Sequence, residues 1–80
     1  MNADHYAKEA DRLLRDDVLN HALDTIRAAA LEDLAAANAA DMISVLRLQQ
    51  TVAAIDGIRS ELKAAVLRRA DANPARGSFA

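Results

Sequence analysis

Apolar positions recur along this chain at helical steps of three and four, and they fall into three stretches whose faces point different ways. In residues 3–15, Tyr6, Ala10, Leu13 and Leu14 share one side of a helix. From about Val18 to Ala37 the stripe is Leu19, Leu23, Ile26, Ala30, Leu34 and Ala37. At ~100° per residue these two stripes lie on nearly opposite sides of one straight helix. Either the helix breaks near Asp16-Asp17, with Asp16 capping a new helix, or it continues and its first turns face a different partner. We take the break. The third stretch runs from Met42 to about Asp71, with Val45, Leu48, Val52, Ile55, Leu62 and Val66 as its stripe and Ile58 at the margin. At 1.5 Å per residue it would be ~45 Å long.

The punctuation agrees with that division. No glycine or proline interrupts residues 1–56, so turns must come from other residues. Asn38-Ala39-Ala40-Asp41 is the best internal candidate, because Asn tolerates the left-handed position after a helix and Asp41 can cap the next one. So short a connection implies antiparallel neighbours. Gly57 inside the third stretch costs roughly 1 kcal/mol relative to alanine, and marks either a close helix approach or a tolerated weak spot. Asn73-Pro74 stops the helix, since the residue before proline is pushed out of the α region. The predicted fold is all-α: an antiparallel hairpin of two long helices (about 17–37 and 42–71) with a shorter N-terminal helix (about 3–15). Residues 1–72 form a single helical domain, and residues 73–80 a short non-helical tail carrying Phe79.

Composition adds a reason to expect association. Twenty of the 80 residues are alanine, eighteen are Leu, Ile or Val, and there is one Tyr, one Phe and no Trp. A core built from these is thin, and a chain this short buries a small share of its surface. Cysteine is absent, which removes disulfide staples and thiolate ligands. Stability is then expected to come from packing against copies of the chain or a larger partner. Tyr6, Leu13, Leu14, Met42, Leu46 and Phe79 are the candidate contacts, because they fall outside the stripes of the two long helices or on the tail.

Charge is unevenly placed. Residues 1–41 hold nine Asp/Glu against four Lys/Arg, and residues 42–80 three against six, so the halves attract although the net charge is only −2. A pI near 5.5 argues against a dedicated nucleic-acid binder. The strip Arg59, Lys63, Arg68, Arg69 and Arg76 could nevertheless meet phosphates, or pair with the acidic half. No apolar run approaches the ~18–20 residues that span a bilayer, and Met1-Asn2-Ala3-Asp4 does not begin a secretory signal, so the expectation is a protein neither secreted nor in a membrane.

Candidate catalytic groups do not converge. His5 and His21 are ~24 Å apart on a continuous helix, too far to share a metal. The neighbours Asp16-Asp17 and Glu32-Asp33 diverge by ~100° and cannot face one substrate. Two glycines twenty residues apart cannot form a phosphate loop. The expectation is no enzyme, no cofactor, no metal and no small-molecule substrate.

One further pattern suggests a role. Leu14 with Asp17-Val18-Leu19 opens a helix, an alanine-rich stretch leads to a short polar turn, and Arg47-Leu48 and Val52-Ala53-Ala54-Ile55-Asp56-Gly57-Ile58-Arg59-Ser60-Glu61-Leu62 follow. Over residues ~13–70 this order resembles small helical-hairpin proteins encoded in the packaging and head-morphogenesis region of tailed bacteriophages and prophages. The sequence departs from that pattern at Leu34-Ala35-Ala36-Ala37, where a large aromatic would be expected, and at Asn38-Ala39-Ala40-Asp41, in place of a Pro/Glu-rich turn. The resemblance implies a structural, virion-associated or morphogenesis protein that binds portal, capsid or neck components in many copies, in the virion or the host cytoplasm. A small DNA-binding accessory factor is the alternative.

Overall fold

A computed structural model describes residues 1–72, which form three α-helices with no strand among the described residues. The predicted tail, with Arg76 and Phe79, lies outside the described residues. Helix α1 spans Ala3–Leu14, α2 Asp17–Ala36 and α3 Met42–Ala72.

Each helix start has a local cause. Asn2 sits in extended conformation and its side-chain oxygen accepts the His5 backbone N–H at 2.7 Å, while Asp4 places negative charge in the first turn of α1. The chain leaves α1 through Arg15, at φ −103°, with the Arg15 and Asp16 N–H groups donating to the Arg12 and Leu13 carbonyls at 3.1 Å each. This tight turn uses no left-handed residue, which is why a break without glycine can form here. Asp17 then supplies negative charge to the first turn of α2.

The second connection corrects one detail. Asn38 does not take a left-handed conformation, since no non-glycine residue among the described residues has positive φ. Instead its side-chain oxygen accepts from the Ala40 N–H at 2.9 Å and its carbonyl from the Asp41 N–H at 2.8 Å, so the side chain mimics a turn of backbone. Asp41 caps α3, accepting from the Ser44 N–H at 3.2 Å and the Ser44 hydroxyl at 2.8 Å.

The contacts group into two compact units. In one, Met1–Asp16 is associated with α3 from Arg59 onward; the other is Asp17–Ile58, containing α2 and the first half of α3. In the first unit the deeply buried positions are Ala7, Ala10 and Ala65, with Tyr6, Leu13, Leu14, Leu62 and Val66 half-buried. Small side chains occupy the most enclosed places. In the second unit Leu23, Ala30 and Ile55 are buried, and Leu19, Leu34, Val45, Leu48 and Val52 are half-buried.

Two sequence expectations change at this level. Ile26 belongs to the predicted inner stripe but is 52% exposed. Ile26 and Arg27 lie ~50° to either side of the Leu23–Ala30 axis, and Arg27 takes the half-buried place by pairing with Asp56 across 29 residues of sequence. At Gly57, apart from the adjoining backbone of its own helix, no heavy atom of the described residues lies within 4 Å of where a Cβ would stand, so no close helix approach among them explains it.

Candidate functional site

The polar contacts of the first unit gather around α1 and the last turns of α3. The Tyr6 hydroxyl donates to Glu61 Oε2 at 2.8 Å, and Arg68 Nη2 reaches the same oxygen at 3.0 Å. Arg69 Nε pairs with Asp4 at 2.8 Å, and Lys8 with Asp4 at 3.3 Å. These contacts shift the ionisations. Glu61 is held below the usual carboxylate value, chiefly by the Tyr6 hydroxyl and then by Arg68. Tyr6 is pushed up, first because its proton serves the Glu61 hydrogen bond. Asp4 is lowered by its hydrogen bond from Lys8 and by Arg69.

Of the predicted basic strip, Arg68 and Arg69 are engaged by carboxylates of the same unit, Arg59 is half-buried, and Lys63 is exposed. The attraction between the acidic and basic halves is realised in Asp4–Arg69. Arg27–Asp56 has the opposite polarity, with the cation in the first half.

Of the predicted outward contacts, Met42 and Leu46 are 69% and 52% exposed. Tyr6 is half-buried with its hydroxyl committed within the chain, and Leu13 and Leu14 are half-buried. The exposed apolar set is wider than that expectation: Val18, Ile26, Leu31, Ile43, Ile58 and Leu67 also stand more than two-fifths exposed. Within the unit Asp17–Ile58 only two large apolar side chains, Leu23 and Ile55, are buried. The signal for this was present in the sequence, since more apolar residues populate α2 and α3 than one seam can cover.

A shallow open depression is lined by Lys8, Glu9, Asp11, Arg12, Arg15 and Asp16; Arg12 pairs with Glu9 at 3.0 Å and Asp16 at 4.0 Å, Arg15 with Asp11, and Lys8 with Asp4 outside it. No cluster of three or more His, Cys, Asp or Glu able to hold a metal occurs among the described residues. His5 and His21 are both exposed and lie in different units. No helix of the described residues is long and apolar enough to cross a membrane. No protein-family model, curated protein or solved structure matches the chain.

Proposed function

We propose that this protein is a non-enzymatic structural and interaction protein, an antiparallel helical hairpin of α2 and α3 with a shorter N-terminal helix, α1, acting in multiple copies on a larger assembly. The observation that carries the reading is the inverted burial of the unit Asp17–Ile58, where Met42, Ile43, Leu46, Ile26 and Val18 are more than half exposed while only Leu23 and Ile55 are enclosed among large side chains. Apolar surface left in water at this density is characteristic of a face that another protein covers. The Arg27–Asp56 pair supports the hairpin, because it requires the chain to return along α2 after the Asn38–Asp41 turn.

On the resemblance along residues ~13–70, the proposed assembly is that of phage head morphogenesis, with portal, capsid or neck proteins as partners and the virion or the host cytoplasm as the place of action. Co-purification of the tagged chain with the products of neighbouring genes tests this. Retention of a portal, capsid or neck protein by the native chain, and its loss on Met42→Glu with Leu46→Glu, is expected; retention unaffected by that pair of substitutions would count against the face. The DNA-binding alternative is less favoured, since Arg68 and Arg69 already carry carboxylate partners. A duplex affinity that falls steeply with added salt would revive it.

A further inference from the structure

The pair Arg27–Asp56 marks one side of the α2/α3 hairpin, and the opposite side is the more revealing. Relative to Leu23, Arg27 is rotated ~40° in one sense, while Ile26, Ala22 and Ala29 are rotated ~60–120° in the other. Relative to Ile55, Asp56 is rotated ~100° in the first sense, and Ile58, Ala54 and Ile43 ~60–120° in the other. In antiparallel neighbours equal senses fall on the same side of the pair. Ile26, Ala22, Ala29, Ile43, Ala54 and Ile58 therefore line one face, and all six are exposed. Ile26 is 52%, Ile43 66% and Ile58 47% exposed.

Two charges interrupt this face. Asp33 lies on the α2 side and Arg47 on the α3 side, both exposed, and neither side chain makes an ion pair among the described residues. With Arg27 beside Asp56 and the turn at Asn38–Asp41, Asp33 and Arg47 stand at about the same height along the hairpin. The face is thus apolar along its length, negative on one helix and positive on the other at one level. We propose that its occupant is a second copy of this chain.

A two-fold axis parallel to the helices lays α2 of each copy on α3 of the other and preserves height. Asp33 of each protomer then meets Arg47 of its partner, so one arrangement satisfies both charges twice, and Ile26 packs against the partner's Ile58 and Ala54. The contact is isologous, as two-fold dimers require. The alanines let the helices approach closely, and every neighbour in the resulting four-helix arrangement is antiparallel. A face ~30 Å long and ~20 Å wide offers ~600 Å² per copy, or ~1,200 Å² in total, above the ~1,000 Å² expected of a specific interface. An unrelated partner would need the same alternation of charge; the chain itself supplies it.

This inference rests on the hairpin reading, and its test separates the two. Sedimentation velocity is run on the native chain, on Asp33→Arg, on Arg47→Asp, and on an equal mixture of the two variants, with far-UV circular dichroism confirming helicity in each. The native chain is expected at twice 8.6 kDa. Each variant alone places like charges across the interface twice and should weaken dimerisation about tenfold or more. Mixing should restore it, because the mixed pair regains two opposite-charge contacts; restoration by mixing cannot arise within one chain. A native monomer, or a dimer indifferent to both variants, overturns the proposal. Either outcome leaves the hairpin itself to be judged from the Arg27–Asp56 pair, whose loss in Arg27→Ala would lower the melting temperature without changing the mass.

Discussion

Asp41 holds the start of the longest helix with two bonds to one serine, and its carboxylate form makes both. Its ionisation is lowered, first by the Ser44 hydroxyl and then by the Ser44 N–H. A lowered carboxyl contributes stability above its unfolded value of 3.8 and loses it as pH falls through the lower folded value. Asp41→Ala is expected to lower the melting temperature by about 4 °C at pH 7 and to flatten its fall below about pH 4, measured by circular dichroism. The Tyr6–Glu61 pair responds at both ends of the scale. Glu61 behaves like Asp41 on the acid side, while the raised Tyr6 contributes stability below its ordinary value of 10.0 and loses it as pH rises through the folded value. Tyr6→Phe should remove the alkaline loss and leave an acid loss, since Glu61 keeps Arg68. An unchanged alkaline limb in Tyr6→Phe would contradict the pairing.

At the scale of the helices, Gly57 is an exposed interior position of α3 with open space around its missing Cβ. Gly57→Ala is expected to stabilise the chain by roughly 1 kcal/mol, raising the melting temperature by about 4–8 °C. A loss of stability there would reveal a close neighbour in the assembled state. The three helices, the place of the Asn38–Asp41 turn and the cap at Asp41 were legible because they depend on local chemistry, namely uninterrupted helix formers, a turn-forming Asn and a carboxylate before an apolar run; the turn's form, an Asx turn rather than a left-handed Asn38, was not. The exit from α1 was legible only as opposed stripes, because Arg15 makes the bend without glycine. Which residues face inward was less legible. Ile26 outranks Arg27 in hydropathy, yet Asp56, 29 residues away, draws Arg27 into the half-buried place. Of the alanine core, Ala10 was read on the first stripe, whereas Ala7 and Ala65 carried no signal in a chain with twenty alanines, since each fits a buried or an exposed position equally well. Thermal melts check the revised assignment. Leu23→Ala and Ile55→Ala should each cost ~2–5 kcal/mol, whereas Ile26→Ala should cost under ~1 kcal/mol in the monomer.

For the whole molecule, the proposed role turns on how few large side chains are enclosed, and how many are exposed, among the described residues; on that proposal a further surface covers them. Domains of this length have little stability to spare, so a covering surface changes the balance between folded and unfolded chains as well as the partner bound. Folding and association are then linked, and the melting temperature should rise with protein concentration. The most direct measurement is sedimentation equilibrium of the native chain from about 1 µM to about 1 mM, a span that brackets weak and moderate self-association. The account predicts a mass that climbs from 8.6 kDa toward at least twice that value as concentration rises. A mass fixed at 8.6 kDa throughout, with a concentration-independent melt, would contradict it.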